Sequence, residues 1–544
     1  MPILAAIDIG SNSCRLKIAR VAAHQLKTLH EDREVTRLGE SVFETGMISP
    51  EAMTATLAAL KRFQRAVQLH GVDRLRVVAT SATRDARNGA AFQAWVKSET
   101  GWNLEIISGL EEGRLIHLGV MGLGSPDAAA GRTLLFDLGG GSCEITISQH
   151  HRILETVSLP LGAVRLSREF LRSDPATADG LARMRQFIAR ELRQARGKIH
   201  PEKIARVLAT SGTAAALSDA IAATGSQAEK SPRKSGKKDE ARSAQHNKGK
   251  KLQPLALSRA AAQSPAGIAS TRAVRRMADK LATMPLGARS AVPGIGPRRA
   301  EIIVAGATVF AELLESFSLD GFRYSPLGLR DGILAQMLAE LDARAAVHRE
   351  FEHERWQSVL ATARRYGVDL RLAEPVRAHS LQLFHQLQPL HQLPPEYETW
   401  LGAAAILSET GKFINHQGHH RHTQYIISSS EIFGCTPLQR TLISAIARDL
   451  GKSRPQPGDR ALRNIPPAEH ALIQRAVVLL RLGVALNQDR ASDVLRFTAK
   501  LYPKRVYLEV EPGRTGAELE LWSLRKEADY FREVFGRELF CTLA

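Results

Sequence analysis

Two aspartates, Asp8 and Asp137, stand near the ends of apolar runs, and each is followed by a string of small residues. Ile7-Asp8-Ile9-Gly10-Ser11-Asn12-Ser13-Cys14-Arg15 returns 129 positions later as Phe136-Asp137-Leu138-Gly139-Gly140-Gly141-Ser142-Cys143-Glu144. Each copy reads as a strand, a tight turn and a second strand. Glycine has no Cβ to hold an anion away from backbone N–H groups, so such a turn can cradle phosphate. Two of them facing each other would grip a phosphate group from both sides, with an aspartate on each side to meet a metal ion. The spacing points to phosphate chemistry in a cleft between two related halves.

The surrounding elements supply the frame. The second strands, Arg15–Val21 and Glu144–Ser148, alternate polar and apolar residues like half-buried hairpin arms. The pattern then predicts helices over Pro50–His70, Ala90–Thr100 and Glu111–Val120, and strands over Leu75–Ala79 and Leu104–Ile107. Gly122–Gly131 is small and polar, a natural lobe boundary. Beyond it, strands run from Leu134 to about Ser158 and helices cover Ala163–Arg172 and Asp179–Gly197. A strand over Arg206–Ala209 enters another small-residue turn, Thr210-Ser211-Gly212-Thr213. Gly225–Gln253 has no large apolar residue before Leu252 and reads as a disordered basic insert. From about Asp342 helices dominate: Arg344–Tyr366, Pro375–Gln388, Glu396–Ile406 and Pro437–Asp449. Near the end Arg505–Glu511 and Ala517–Trp522 alternate like strands, so a small mixed domain is expected to close the chain.

At 544 residues the chain is too long for one core. With 44% hydrophobic and 24% charged residues it reads as soluble and globular, and no apolar run reaches membrane-spanning length. Cys14, Cys143, Cys435 and Cys541 have neither metal-ligand nor disulfide spacing, and Met1–Ala6 leads straight into a strand, so the cytoplasm is the expected compartment. The net charge of +18 attracts polyanions, although +6 of it sits in Ser226–Lys251 and arginine-rich surfaces also arise as simple solvation.

Sharper motifs lie between the turns: Val78-Ala79-Thr80-Ser81-Ala82-Thr83-Arg84, Ile106-Ile107-Ser108-Gly109-Leu110-Glu111-Glu112-Gly113-Arg114-Leu115-Ile116, Pro160-Leu161-Gly162-Ala163-Val164-Arg165-Leu166, and Thr210-Ser211-Gly212-Thr213. In order and spacing they resemble the exopolyphosphatase and guanosine-pentaphosphate phosphohydrolase family. The segment Leu407–His422 resembles the helical extension of that family's long form, which is related to HD phosphohydrolases. The resemblance implies an α/β fold: a duplicated actin-like (ribonuclease H-like) two-lobed phosphatase core, then a mostly α HD-like domain and a small α+β C-terminal segment. The expected divisions are residues 1–125 and 126–341 for the lobes, 342–490 for the HD-like domain and 491–544 for the last.

Hydrolysis of a phosphoanhydride needs an anion cradle, charge neutralisation and a positioned water. The cradle would be Gly10, Ser11, Asn12 and Ser13 on one side, Gly139, Gly140, Gly141 and Ser142 on the other, with Ser211, Gly212 and Thr213 approaching the next phosphates. Mg²⁺ takes a few carboxylates plus phosphate oxygens. Asp137 and Glu144 match the family's metal positions and Asp8 faces them, although an aspartate beside a glycine turn also serves as a simple turn stabiliser. Residues alone leave Glu111 and Glu112 equivalent as general base, since adjacent helical residues point about a hundred degrees apart. The resemblance assigns the role to Glu112, the terminal phosphate to Arg84, and a general anion-holding role to Arg15 and Arg165.

Several segments qualify this reading. Ser408-Glu409 stands where a working HD domain has adjacent His and Asp, so no metal chemistry is expected there. His416, His419, His420 and His422 are interrupted by Gly418 and read as polyanion-facing or core-packed rather than metal-binding. Val292-Pro293-Gly294-Ile295-Gly296-Pro297-Arg298-Arg299-Ala300 resembles a DNA-binding hairpin, yet a single copy is slender ground for nucleic acid, and the family has a similar segment preceding a helix with arginine, which Arg299 fits. Pro326 stands where the family often has aspartate. The expected activity is exopolyphosphatase, with guanosine pentaphosphate hydrolysis as the alternative or companion. A binding protein that has lost catalysis is disfavoured by the intact Asp137, Glu144 and Glu112. The resemblance implies a homodimer; the hydropathy pattern argues against a membrane partner, and the single hairpin-like copy against nucleic acid.

Overall fold

The computed structural model describes residues 1–124, 131–201, 203–229, 267–450, 454–455, 462–463, 465–490, 494–514 and 516–544. These form two compact units, Met1–His348 and Arg349–Ala544.

In the first unit the sequence repeat becomes a repeated sheet. Ile3–Ile9 (β1), Ser13–Ala22 (β2), Gln25–Val35 (β3), Arg74–Ala79 (β4) and Leu104–Ile106 (β5) lie in the order β3-β2-β1-β4-β5. Arg132–Leu138 (β6), Cys143–Gln149 (β7), Arg152–Leu159 (β8), Ile204–Thr210 (β9), Ala269–Ser270 (β10) and Gly321–Tyr324 (β11) lie in the order β10-β11-β9-β6-β7-β8. In both sheets the strand before the turn pairs antiparallel with the strand after it and parallel with the next strand inward. Both also share an irregularity. The β2–β3 register slips by one residue between Ile18 and Ala19, and β7–β8 slips at the equivalent place, between Ile147 and Ser148. Such bulges re-aim the side chains beyond them.

The helices Pro50–Leu69 and Gly89–Thr100 contribute the fully buried Phe63 and Phe92 to the first core. The second core is organised around Phe136, Phe310 and Phe322, with Phe310 centred 4.8 Å from Phe136 and 5.0 Å from Phe322. Burying each such ring stabilises by roughly 1.5–3 kcal/mol. Two further helices cover the sheets crosswise. Gly109–Gly122 packs on β7 and β8, Leu329–Leu341 packs on β1 to β3, and the two pack on each other. This overturns the half-buried expectation for Glu144–Ser148, because every residue from Cys143 to Ser148 is buried. Glu144 and Thr146 face Gly113 of the covering helix instead of water.

The helix Ser211–Glu229 runs on through residues 225–229, so those five are not part of a disordered insert. The rest of the expected insert, residues 230–253, and residues 125–130 of the expected lobe boundary lie outside the described residues.

The second unit is mostly helical, with Leu370–Gln386, Glu396–Leu407, His419–Ser429, Pro437–Arg448 and Pro467–Ala485. Pro375 does not begin a helix. Asp369 caps the helix five residues earlier by accepting the Arg371 N–H at 3.0 Å, and Pro375 lies inside it. Phe497–Leu501 (β12), Arg505–Val510 (β13) and Glu538–Leu543 (β14) form a sheet in that order, with β14 parallel to β13. Ala517–Trp522 is not a strand. It opens the helix Glu518–Phe535, whose Leu521, Leu524, Tyr530 and Phe531 are buried at helical spacing. Six alternating residues are too few to separate the two periods. Among the described residues no helix is long and apolar enough to cross a membrane.

Candidate active site

The registers line up one row of side chains across each sheet. On β3, β2, β1 and β4 the row is Arg33, Arg15, Asp8 and Val78. On β8, β7, β6 and β9 it is Ser158, Glu144, Asp137 and Thr210. The repeat thus keeps the aspartate and exchanges its neighbour, arginine in one half and glutamate in the other. The row of the first half carries arginines beside its aspartate, and the row of the second carries a further carboxylate.

Between the halves lies a cavity of about 670 Å³. The two turns close in the same way: Gly10 N–H donates to the Ser13 carbonyl at 3.1 Å and Gly139 N–H to the Ser142 carbonyl at 3.0 Å. They also meet tip to tip. A Cβ on Gly140 would lie 3.0 Å from Ser11 Cβ and 3.2 Å from Asn12 N, so only glycine lets the turns approach this closely. Of the residues singled out from sequence, Asp8, Gly10, Ser11, Asn12, Ser13, Glu112, Asp137, Gly139, Gly140, Gly141, Ser142, Ser211, Gly212 and Thr213 all line the cavity.

Glu144 and Arg84 are not on that lining. Glu144 stands behind it, 2% exposed, accepting from Ser158 Oγ at 2.8 Å. Arg84 turns toward the strand end, donating to the Ile107 carbonyl at 2.8 Å and lying 3.8 Å from Glu112 Oε2. Arg165 is likewise absent from the lining, and its guanidinium is engaged by protein. It donates to the Gly141 carbonyl at 2.8 Å, to Ser81 Oγ and to Asp85, and lies over the Phe43 ring. It ties the second turn to the first half.

The acidic end is electrostatically incomplete. Burial pushes Asp8, Asp137, Glu112 and Glu144 all above the usual carboxylate range. For Glu112 the Glu144 charge adds to burial, and Arg84 opposes it. For Glu144 the Asp137 charge adds, and hydrogen bonds from Ser158 and Ser142 oppose. The Oε2 atoms of both glutamates are buried without a hydrogen-bond partner among the described residues. Each such atom costs about 1–3 kcal/mol, a penalty that a cation would relieve. No three His, Cys, Asp or Glu side chains among the described residues already surround a metal position. Mg²⁺ asks for less, one or two carboxylates with the remaining places taken by phosphate oxygens and water, so these residues suit it.

The ambiguity between the paired glutamates is resolved by their partners. Ser108 Oγ accepts the Glu111 N–H at 3.1 Å and starts the helix. The Glu111 carboxylate then receives two hydrogen bonds from the buried Arg114, at 2.8 and 2.9 Å. Glu112, one position on, lines the cavity. Glu111→Gln is therefore expected to destabilise the fold by about 3 kcal/mol, as breaking a buried ion pair does, with kcat little changed. Urea unfolding beside a turnover assay checks this; a large loss of kcat in a stable variant would move the catalytic role to Glu111.

The basic end was only partly legible beforehand. Arg15, Arg33, Arg299 and Arg330 all line the cavity, and among the described residues none is ion-paired with a carboxylate. Burial, with Arg15 close by, pushes Arg33 down to about 10 and Arg299 down to about 9. Arg33 Nε is buried without a hydrogen-bond partner among the described residues. Arginines that crowd one another in this way form a ready anion site. The hairpin-like Val292–Ala300 segment, with Gly294 and Gly296 at φ +85° and +64°, brings Arg299 against Gly212 and within 3.3 Å of Thr213 Oγ1. Its resemblance to a DNA-binding hairpin is thus accounted for inside the cleft. Arg33 and Arg330 were missed: Arg330 sits in the Ser325–Gly332 segment, and Arg33 is visible only once the bulge is known.

The sequence pattern of the Ppx/GppA phosphatase family matches residues 17–341, and that of Ppx/GppA phosphatase domain III matches residues 355–530. This chain belongs to the Ppx/GppA phosphatase family. It is 26% identical over 541 residues, covering 96% of each chain, to a guanosine-5'-triphosphate,3'-diphosphate pyrophosphatase of Vibrio campbellii. It is 37% identical over 226 residues to exopolyphosphatase 2 of Mycobacterium tuberculosis, covering 40% of this chain and 69% of that one. A solved exopolyphosphatase-like protein aligns at a TM-score of 0.53 and 26% identity, covering 62% of this chain and 98% of the other.

In the domain III region of this Ppx/GppA chain, Glu409 is held by cations of the protein itself. It pairs with Lys412 and with Arg490 at 3.0 Å, and these outweigh burial and hold its carboxyl below the usual range. Gly418, at φ +69°, begins the helix His419–Ser429. The His419 and His420 rings are 3.9 Å apart, and burial lowers His419 to about 4.

Proposed function

We propose that this chain is an exopolyphosphatase that releases orthophosphate processively from the ends of inorganic polyphosphate by Mg²⁺-assisted attack of water. The observation that carries the reading is that buried carboxylates and arginines free of carboxylate partners share one cavity. Glu112, Asp137 and Asp8 line it together with Arg15, Arg33 and Arg299, which form no ion pair with a carboxylate among the described residues. The terminal phosphoryl group belongs between the two turns, whose N–H groups meet its oxygens. The following phosphates belong on the arginines, which also take up charge on the leaving chain. Glu112, ionised, accepts a proton from the attacking water as the water oxygen bonds to phosphorus and the bridging P–O bond breaks. Mg²⁺ held by Asp137 and Glu144, with Asp8 opposite, would supply charge neutralisation.

The alternative is hydrolysis of guanosine pentaphosphate at its 5′ end, or both activities, since the relatives include both an exopolyphosphatase and a guanosine-5'-triphosphate,3'-diphosphate pyrophosphatase. Orthophosphate release with Mg²⁺ from long-chain polyphosphate and from guanosine pentaphosphate decides between them. Faster release from polyphosphate, weakening steeply with salt, is expected. Preference for the nucleotide would establish the alternative, and no release from either would sink both. The reading also includes an HD-like fold for the helical extension, a cytoplasmic location and a homodimer, the last open to sedimentation.

A further inference from the structure

The row across the second sheet holds more than its two carboxylates. Ser158, Glu144, Asp137 and Thr210 stand side by side on four adjacent strands. Ser158 Oγ donates to Glu144 Oε1 at 2.8 Å, and Thr210 Oγ1 donates to Asp137. Each carboxylate is thus flanked by one hydroxyl of the neighbouring strand, with the Ser142 hydroxyl of the turn also acting on Glu144, and Glu144 Oε2 is buried without a hydrogen-bond partner of good geometry among the described residues. The hydroxyls do not arise from an unbroken ladder. Continued without the slip at Ile147/Ser148, the β7–β8 register would put Val157 beside Glu144. Ser158 is gripped from above as well, since a Cβ on Gly109 would overlap its side chain. That glycine begins the helix carrying Glu112, so the Ser158 side chain touches both Glu144 and the start of that helix.

We propose that Ser158 and Thr210 are positioning residues that aim Glu144 and Asp137 as one divalent-cation site. The inference rests on the metal-assisted reading above. Outer hydrogen bonds of this kind fix ligand orientation, and losing one typically costs about 10–100-fold in metal affinity. The corresponding row of the first half, with Arg33 and Arg15 in place of Ser158 and Glu144, has no such arrangement.

Mn²⁺ binding to the full chain, read by electron paramagnetic resonance without substrate, tests the proposal apart from turnover. Ser158→Ala and Thr210→Val are each expected to weaken binding about 10–100-fold, while Thr210→Ser, which keeps the hydroxyl, restores it. Thr146→Val is the control, because Thr146 bonds Thr156 at 3.0 Å and not a carboxylate. Its affinity should match the unaltered chain, and thermal scans confirm that each variant is folded. Unchanged Mn²⁺ affinity in folded Ser158→Ala and Thr210→Val overturns the positioning role. Equal weakening in Thr146→Val overturns it too, since the effect is then general loosening of the sheet. If the unaltered chain binds no Mn²⁺ and releases phosphate without a divalent ion, the metal-assisted reading itself fails.

Discussion

Glu112→Gln is expected to lower orthophosphate release by about a thousandfold or more, within or beyond the usual range for a lost general base, and to raise the thermal midpoint at the same time. Both effects follow from one buried carboxylate. Burial and then Glu144 hold Glu112 above the ordinary range, so the folded chain binds that proton more tightly than the unfolded chain does. Stability linked to this group is therefore fully present below the unfolded value, about pH 4.3, and is lost as pH rises through the higher folded value. Glutamine removes that loss. The variant should gain most over the unaltered chain in alkaline buffer, and the gain should vanish near pH 4. Activity runs the other way: water attack needs the ionised form, so kcat/KM should climb with pH along a limb set by Glu112, which Mg²⁺ bound beside it should move down. A variant no more stable than the unaltered chain at pH 8.5 in metal-free buffer would contradict the burial argument.

Gly332→Ala is expected to cost about a hundredfold in activity by a different route. Its Cβ would overlap the Leu115 carbonyl oxygen, with Leu115 Cα only 3.1 Å away. Backbone of a packed helix cannot swing aside like a side chain, so the helices Leu329–Leu341 and Gly109–Gly122 must part. Overpacking of this kind costs about 1–3 kcal/mol. Glu112 rides on the displaced helix, and misplacement by about 1 Å can cost a hundredfold in rate. We expect kcat to fall more than KM rises. Gly287→Ala, whose Cβ would meet nothing within 4 Å, should be harmless. If Gly332→Ala keeps full turnover, the contact between these helices does not set the position of the base.

The family and the anion cradle were legible because their signals are local. A strand, a small-residue turn and a second strand lie within a few residues, and the turn geometry follows from residue type. The repeated Asp8 and Asp137 follow from the same span. The choice of Glu112 over Glu111 was not legible without resemblance, since it turns on which carboxylate Arg114 takes. Glu144–Ser148 reads as half-buried because alternation reports polarity, and nothing nearby in the chain announces that Gly109 and Gly113 will cover that face. Ala517–Trp522 misleads for a related reason: its burial is decided by the sheet beneath the helix it begins.

By itself the sequence determined two phosphate turns, an aspartate before each, and an arginine after one where the other has a glutamate. Tertiary structure alone decided what stands beside those last two. Continued unbroken from the Ala22–Gln25 end, the β2–β3 register would set Asp32 opposite Arg15, and the slip sets Arg33 there instead. The equivalent slip in the second half sets Ser158, not Val157, beside Glu144. A one-residue change of register exchanges the faces of a strand. The placing of Arg33 beside Arg15 and of Ser158 beside Glu144 therefore depends on two register slips, which lie several residues from the site and which the alternation of either strand alone does not announce.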